Sequence, residues 1–354
     1  MKKKNIKLNR IKLRYATKRQ ARAAEKRVKK KVARSKLLER LVDPSYLAVP
    51  EYLKLYANRR GFNRRAVTSF FQQLRLVAIS DAPIIRIDFS GVSMLFPCGV
   101  IVLYSTLQRA ARSGKQLKLI GYQKNNRAHQ VLQQIGVLDL VGTDLPKTKI
   151  DRGDVECWHM QTIETGDSDR GARYKEFLNA ATEAKGMPEL SNKFTRKLYG
   201  AIDEAVMNMQ EHAYDSASEA LGWILCSYQD GRFGIWAYDD GIGIPASIKL
   251  HPRIKEMHLK PLGAIAPETA DSTWIERAVE LSRTSTQEFN RGRGLPQIVN
   301  CALENEGSVT IMSGSGQYFQ AASNVSQEDR EQPIRRLAGK LPGTIISWNF
   351  KLNE

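Results

Sequence analysis

A row of polar side chains runs along one edge of a predicted helix in the stretch IDEAVMNMQEHAY, residues 202–214. Glu204, Asn208 and His212 are four residues apart and therefore share a face. Beside them runs an apolar stripe that predicts a buried face, formed by Leu198, Ile202, Ala205, Val206, Met209 and Ala213. A carboxylate and an amide at the margin of a core suit a divalent cation that carries a phosphate; the alternative is a polar helix edge in solvent. We interpret His212 as a packed, minor contact.

A predicted β-hairpin follows this helix and ends in a glycine-rich turn. In GWILCSYQDGRFGIWAYDDGIGIP, two alternating apolar runs are joined by the dipeptide DG. The second run leads directly into Asp239, Gly241 and Gly243. Glycine permits backbone conformations that other residues avoid, and it lets a ligand approach the main chain. Asp239, at the strand end, is placed to accept a hydrogen bond from a donor such as the amino group of adenine.

A second glycine-rich element indicates an anion site. Gly292 and Gly294 precede a predicted apolar helix over residues 295–303. Unpaired N–H groups at the start of a helix and the helix dipole both favour negative charge, so we expect phosphate there. The chain has no GxxxxGK[ST], and no strand leads directly into GxGxxG. These absences exclude a P-loop and a dinucleotide-binding fold of the usual type.

Two further segments are expected to approach the phosphates. The residues between 245 and 292, which include the helical pattern TWIERAVELSRTST, predict a lid over the nucleotide. Arg291 and Arg293 follow in a polar loop; they either reach the β- or γ-phosphate or are solvated. Near the end of the sequence, Gly343 and Thr344 are expected to open a last strand, with the threonine hydroxyl available to a phosphate.

Taken in order, these elements resemble the GHKL ATPase superfamily, which includes gyrase, Hsp90, MutL, and the histidine and anti-sigma factor kinases. The resemblance covers residues 165–354 and is carried by Glu204-xxx-Asn208, Asp239-x-Gly241-x-Gly243, Gly292-x-Gly294 and Gly343-Thr344. It implies a Bergerat-type α/β sandwich that binds ATP with Mg²⁺. It also implies that Asn208 binds the metal, that Asp239 reads adenine and that Gly292 and Gly294 wrap the triphosphate. Glu204 would be the general base in hydrolysis or in serine phosphorylation.

The preceding segment, residues 46–150, predicts a smaller α/β domain. It is predicted to contain a strand over 84–89, a helix from about 98 to 112, a strand over 116–120 and a helix over 125–135. This pattern resembles the STAS domain of anti-sigma factor antagonists, with Asp88 on the strand and Gly99 opening the helix. In phosphorylated members a serine precedes that glycine, whereas Pro97 and Cys98 stand here. The resemblance therefore implies a docking module without the phosphoacceptor.

No phosphoacceptor histidine with dimerisation helices precedes the GHKL-like segment, so the arrangement is nearer to the anti-sigma factor kinases. The pairing suggests partner switching within one chain. Residues 313–340 are polar and are expected to form a hairpin insertion or a mobile loop. The overall expectation is an α/β protein with a basic helical tail (1–45), a STAS-like domain (46–150) and a GHKL-type domain (165–354).

Composition narrows the class of protein further. The 354 residues carry a net charge of +18, but residues 1–40 hold +16 of it, in 18 Lys and Arg against two acids. No apolar run reaches the roughly 20 residues that a membrane span requires, and the N-terminus lacks the apolar region of a secretory signal. The four cysteines are scattered and form no CxxC pair, which indicates neither a zinc site nor disulfides. We therefore expect a cytoplasmic protein.

The function remains open among three hypotheses at this stage. The first is an Mg²⁺-dependent ATPase or protein serine/threonine kinase with Glu204 as base. The second is a non-catalytic, ATP-gated module that binds a protein partner. The third is an ATPase associated with nucleic acid through the basic tail, although that tail could equally be a solvated arm or dock on an acidic protein or anionic lipid. A nucleotide-dependent homodimer is a further expectation.

Overall fold

The structure, a computed structural model, describes residues 46–56, 63–142, 145–164, 169–182, 189–214, 221–229, 231–250, 270–284, 294–327, 330–331 and 333–352. From Leu47 onward these residues belong to one compact unit, Leu47–Glu354. The predicted basic helix of residues 1–45 lies outside the described residues. So do Arg291, Gly292 and Arg293.

The first part of the described chain alternates short parallel strands with helices. Its strands are β1 (Leu47–Ala48), β2 (Tyr52–Leu53), β3 (Ile84–Asp88), β4 (Met94–Leu95) and β5 (Gln116–Ile120). Its helices are α1 (Asn63–Ile79), α2 (Pro97–Arg112), α3 (Asn126–Gln134), α4 (Val137–Val141) and α5 (Gly153–Glu156). Strands β1, β3 and β5 form a parallel sheet with β3 in the middle, and β2 pairs with β4. The strand and helix order predicted for residues 84–135 is confirmed.

Local chemistry explains where α2 and α3 begin and where α3 ends. Pro97 occupies the first turn of α2, where its missing N–H is not needed. Asn125 caps α3, because its side-chain oxygen accepts a hydrogen bond from the backbone N–H of Ala128 at 3.1 Å. Gly136 then adopts a φ of +80° directly after the end of α3, as the sequence predicted.

The second part contains an antiparallel sheet. Its strands are β6 (His159–Glu164), β7 (Leu221–Gln229), β8 (Arg232–Asp239), β9 (Ser308–Ala321) and β10 (Ile334–Lys351). Its helices are α6 (Arg170–Thr182), α7 (Asn192–His212), α8 (Ile244–Leu250), α9 (Asp271–Thr284) and α10 (Gly294–Glu304). Within the described residues the strand order is β6-β7-β8-β10-β9. The mixed α/β class is confirmed, and this sheet begins with β6, which precedes the expected boundary at residue 165.

The last strand begins earlier than the sequence predicted. Gly343 and Thr344 do not open it, because β10 already pairs with β9 from Ile334 opposite Tyr318. Of the two expectations for residues 313–340, the hairpin is therefore correct. Register shifts interrupt the pairing before Thr344, and pairing with β8 starts at Thr344 opposite Asp239. The glycine thus marks an irregularity within a strand. The sequence did not predict a strand over residues 334–340, because this stretch is largely polar. Most of its side chains are at least partly exposed in the structure.

The antiparallel sheet is buried on both faces. On one face Ile224, Ile235 and Trp348 join the core formed with α7 and α10, and the indole N–H of Trp348 donates to the carbonyl of Ile298 at 2.9 Å. Side chains alternate along a strand, so their neighbours point the other way. On that opposite face the indole N–H of Trp223 donates to Oε1 of Gln108 on α2 at 2.8 Å. The predicted hairpin of β7 and β8 is confirmed, but its strands carry apolar side chains on both faces.

Two sequence expectations concern membranes and cysteines. Among the helices that the structure describes, none combines the length and the apolar character that crossing a bilayer requires. All four cysteines are buried free thiols.

Candidate functional site

Helix α7 carries the polar row. The helix starts after Ser191, whose hydroxyl accepts a hydrogen bond from the backbone N–H of Phe194 at 3.2 Å. The predicted apolar stripe is buried throughout, from Leu198 to Ala213. Glu204 and Asn208 are half-buried at its edge, so the prediction that they border the core is confirmed. His212 is the last residue of α7, and its side chain lies outside the described atoms.

The start of α10 lies directly against this polar pair. A Cβ atom placed on Gly294 would be 2.7 Å from Glu204 Oε1, 3.0 Å from Asn208 Nδ2 and 3.2 Å from Asn208 Oδ1. Only glycine allows so close an approach without displacing a side chain. The N-terminal end of α10 is therefore in contact with a carboxylate and an amide. This juxtaposition unites three of the residues that the sequence singled out.

A second group of predicted residues meets at the end of β8. Asp239 is buried, and its Oδ1 accepts a hydrogen bond from the N–H of Gly241 at 3.0 Å. Thr344 lies opposite Asp239 in the register and hydrogen-bonds it through both backbone and side chain. Ser313, opposite Thr344 on β9, has its hydroxyl 3.2 Å from the Thr344 hydroxyl. The three side chains form a polar row across three strands of the sheet.

The glycine-rich turn after β8 docks on the end of α7. The N–H of Ile242 donates to the carbonyl of Ala213 at 2.9 Å, and a Cβ on Gly241 would be 2.1 Å from that oxygen. Gly243 has a φ of +79° and packs on Ser313. Asn208 precedes Ala213 by five residues, about 7.5 Å along the helix axis. The turn is therefore anchored close to the α7 polar row.

Strand periodicity puts both groups on the same side of the sheet. Ile235 and Ala237 belong to the core between the sheet and α7, and Asp239 continues this alternation. Its carboxyl group thus faces the α7 side, where Glu204, Asn208 and Gly294 meet.

Both carboxyl groups on this side resist ionisation. Burial has the largest influence on Asp239 and raises its pKa. The hydrogen bond from Gly241 lowers the pKa, the charge of Asp240 raises it further, and the hydrogen bonds from Thr344 lower it. The result is a pKa of about 7. Burial also raises the pKa of Glu204, and the charges of Asp203 and Glu211 raise it further.

The described part of the expected lid is packed into the domain. Ile275 and Val279 of α9 are buried in the core, and Trp274 packs with Ile248 of α8. Asp271, the first residue of α9, accepts hydrogen bonds from the N–H and hydroxyl of Ser315 on β9, each at 2.8 Å. The predicted helix is confirmed, but it is fixed to the sheet. Residues 251–269 and 285–291 of the expected lid lie outside the described residues.

Sequence reasoning missed a set of polar residues behind the turn. Arg109 of α2 pairs with Asp240, and the hydroxyl of Tyr214 also donates to the Asp240 carboxylate, at 2.6 Å. Ser313 was also missed. The only signal in the sequence was the pair of adjacent acids, Asp239 and Asp240, since two neighbouring carboxylates in a buried turn require separate partners. Nothing in the sequence identified Arg109, since a basic residue in the last turn of a helix is common.

The donor set limits the kind of metal that could bind. Over the described ranges, no group of three or more His, Cys, Asp or Glu side chains is arranged to hold a metal ion. The Asn208 amide nitrogen donates to the Glu204 carbonyl at 2.8 Å, which leaves Oδ1 as the atom of this side chain that could ligate a metal. A single amide oxygen beside the start of a helix is compatible with Mg²⁺, which commonly takes few protein ligands and several phosphate or water oxygens.

Comparison with known proteins adds no family assignment. The sequence matches no protein-family model, and the search of curated proteins gives no match.

Proposed function

We propose that this protein is an Mg²⁺-dependent ATP-binding protein of the GHKL type, acting as an ATPase or as a protein serine/threonine kinase. One observation carries the proposal. Gly294, at the start of α10, lies against Glu204 and Asn208, on the side of the sheet that the Asp239 carboxyl group faces. An anion-binding helix start, an oxygen ligand and a buried acceptor are the parts that a metal-bound nucleoside triphosphate requires.

At the base end of the pocket, Asp239 is the acceptor for the adenine amino group. Gly241 and Thr344 hold its carboxyl group in place through hydrogen bonds. Gly243 keeps the turn close to the sheet, where it packs on Ser313. A base with an amino group at this position can donate to the Asp239 carboxylate, whereas a base with a carbonyl group there cannot, so this site discriminates against the second kind of base.

At the phosphate end, the N–H groups of α10 receive the triphosphate. Asn208 Oδ1 would ligate Mg²⁺, which when bound offsets the negative charge of the phosphates. Gly292 and Arg293 are proposed to continue the phosphate cradle. Both precede Gly294 directly but lie outside the described residues.

Glu204 is the proposed general base. Its carboxylate faces Gly294, and burial raises its pKa, which makes the carboxylate a stronger base. In this role it accepts the proton of an attacking water or of a serine or threonine hydroxyl. It does not need to contact the metal.

The first part of the chain is proposed to be a STAS-like docking module for a protein partner. Cys98 stands where the phosphoacceptor would precede the helix glycine. It is fully buried, its sulfur accepts a hydrogen bond from the N–H of Leu55 at 3.3 Å, and burial raises its pKa. A kinase could not reach this thiol, which supports a module without regulation by phosphorylation at that position.

The test is titration calorimetry with ATP, with and without Mg²⁺, on the intact chain and on Asn208→Ala. The wild type should bind more tightly with Mg²⁺, and Asn208→Ala should lose that difference. Asn300→Ala, an exposed asparagine on α10, is the matched control and should behave as wild type. Absence of ATP binding in the wild type would refute the proposal.

A parallel assay separates an enzyme from a binding module. Phosphate release, or labelling of a protein partner, should fall by at least about 100-fold in Glu204→Gln while ATP affinity changes little. Turnover that is the same in both proteins would exclude Glu204 as the base.

One observation favours the second candidate function, a non-catalytic ATP-gated interaction module. The turn that follows Asp239 is bonded through Asp240 to Arg109 on α2. Nucleotide bound at Asp239 could therefore change what the first part of the chain binds. Hydrogen exchange of α2 should then slow when a non-hydrolysable ATP analogue is added. Unchanged exchange would count against gating. Nucleic-acid binding by residues 1–45, a homodimer and a cytoplasmic location stay predictions.

A further inference from the structure

Asp239 and Asp240 are consecutive, yet their side chains interact on opposite sides of the turn. Asp239 faces the proposed nucleotide pocket. Asp240 is bonded to the α2 layer, where its Oδ1 accepts hydrogen bonds from Arg109 Nη2 at 2.7 Å and from the Tyr214 hydroxyl at 2.6 Å. Arg109 Nε completes a two-point ion pair with the other carboxylate oxygen.

Arg109 is held in place by aromatic side chains as well. Its guanidinium carbon is 5.3 Å from the ring centre of Trp223 and 5.6 Å from that of Tyr214. The Arg109 side chain is 32% exposed and that of Asp240 is 13% exposed. Partial burial means that solvent screens this pair less than an ordinary surface ion pair.

We propose that Arg109 is a positioning residue for ATP binding: its ion pair with Asp240 fixes the turn that follows Asp239 and offsets the negative charge next to the Asp239 carboxyl group. The inference rests on the proposed function. It adds a residue from the first part of the chain to a site that the resemblance confined to residues 165–354.

The electrostatic part of this proposal follows from the groups around Asp239. The charge of Asp240 already opposes ionisation of Asp239, whose pKa is about 7. Removing the Arg109 charge leaves Asp240 unbalanced, so Asp239 should ionise at a higher pH. Among the described residues, Tyr214 and Tyr238 also interact electrostatically with Asp239, and Arg75 on α1 interacts with Tyr238. Glu204 lies on the side of the sheet that the Asp239 carboxyl group faces.

The test measures ATP affinity between pH 6 and pH 9 in Arg109→Gln. An ionised acceptor binds the adenine amino group more tightly than a neutral one. The pH midpoint of the affinity should therefore rise by about one unit. Such a shift makes binding about fivefold weaker at pH 7 and nearly equal to wild type at pH 9.

Three further variants separate charge from structure. Arg109→Lys keeps the charge and should restore most of the wild-type midpoint. Arg109→Gln combined with Asp240→Asn removes both charges and should bring the midpoint back to or below the wild-type value. Arg112→Gln, also on α2, removes an exposed arginine that pairs with Glu164 and should change nothing. Thermal unfolding of each variant verifies that it is folded.

The possible outcomes distinguish a failure of the proposed role of Arg109 from a failure of the proposed ATP binding. If the wild type binds ATP but Arg109→Gln weakens binding by one constant factor at every pH, or leaves it unchanged, the inference is refuted and the proposed function stands. If the wild type binds no ATP at any pH, both are refuted. A raised midpoint that Arg109→Lys reverses supports the inference.

Discussion

The backbone of Gly343 approaches Asp239 so closely that a Cβ on the glycine would lie 1.8 Å from the Asp239 carbonyl oxygen. Gly343 also has a φ of +71°, a conformation that side chains disfavour. The contact holds the irregular part of β10 against the end of β8. It therefore fixes where Thr344 meets the Asp239 carboxyl group.

We predict that Gly343→Ala lowers the free energy of unfolding by more than about 2 kcal/mol. Gly231→Ala is the matched control, because Gly231 has a φ of +72° but its Cβ would meet nothing closer than 3.4 Å. That control should lose only about 1 kcal/mol, the cost of the backbone conformation. Chemical denaturation measures both. Equal losses would mean that the close approach to Asp239 is not important for stability.

Gly294→Ala should abolish tight binding of Mg²⁺-ATP while the protein stays folded. The new methyl group would occupy the space next to Glu204 Oε1 and Asn208, and we expect the affinity to fall by at least tenfold. Gly171→Ala, an exposed position in the first turn of α6 with open space around it, is the control and should bind as wild type. Unchanged ATP affinity in Gly294→Ala would contradict the assignment of this contact to the pocket.

Asp239 should make the protein less stable as the pH rises. Its folded pKa of about 7 lies above the ordinary value of 3.8 that holds in the unfolded chain, so the folded state favours the protonated form. The stability that the protonated Asp239 carboxyl group contributes is fully present below pH 3.8 and is lost as the pH rises through 7. Asp239→Asn removes this dependence. Relative to wild type, the variant should gain about 2.5 kcal/mol of unfolding free energy between pH 5 and pH 8.

Urea denaturation of both proteins at several pH values tests this prediction. A difference between the two proteins that stays constant from pH 5 to pH 8 would show that burial does not perturb Asp239. If Asp239→Asn is more stable than the wild type, the site follows a general pattern in which residues needed for binding lower the stability of the protein.

Gln108→Leu should lower the unfolding free energy by about 1–3 kcal/mol. Oε1 of Gln108 accepts from the Trp223 indole at 2.8 Å and from the Thr162 hydroxyl at 3.1 Å, and Trp223 is fully buried. Leucine leaves the indole N–H without its acceptor. Gln108→Glu retains an acceptor oxygen and should lose less. Gln134→Leu, whose amide makes an exposed hydrogen bond to Glu156, should change stability by less than about 0.5 kcal/mol.

A fragment of residues 157–354 should not fold as an independent domain. It contains the whole antiparallel sheet but lacks α1 and α2, so Trp223, Trp236 and Tyr238 would be exposed on one face. We expect it to bind a hydrophobic dye and to unfold without a sharp transition, whereas residues 47–354 unfold cooperatively. A sharp thermal transition in the fragment would show that the sheet is stable without the first part of the chain.

Local patterns predicted the elements that form the candidate site. The period of the apolar residues from 198 to 213 indicated a helix with one buried face, and that face is buried in the structure. The dipeptide at 230–231 between two apolar runs indicated the β7–β8 hairpin, and the apolar run after Gly294 indicated α10. These predictions succeeded because each depends on residues close together in the chain, where the helical and strand periods act directly.

The opposite face of the sheet could not be assigned from the sequence. The nearly continuous apolar runs in β7 and β8 signal burial on both faces, but they do not name what covers the second face. The structure assigns that role to α1, α2 and the segment that precedes α1. Gln108 of α2 contacts Trp223, and Tyr56 of the preceding segment contacts Trp236. The early start of β10 was not predicted, because the polar residues there show no strand pattern. They form a strand because β9 supplies the partners for their backbone hydrogen bonds.

By itself, then, the sequence determined the helix edge that carries Glu204 and Asn208, the strand that ends at Asp239, and the glycines at positions where a close approach is needed. Those features follow from residue type and spacing over a few turns or strand residues. Only the tertiary structure decided that Gly294 meets Glu204, that Asp239 is buried enough to ionise near neutral pH, and that Arg109 binds Asp240. Each of these depends on packing between segments far apart in the chain, where burial and distance, and not local spacing, set the energy.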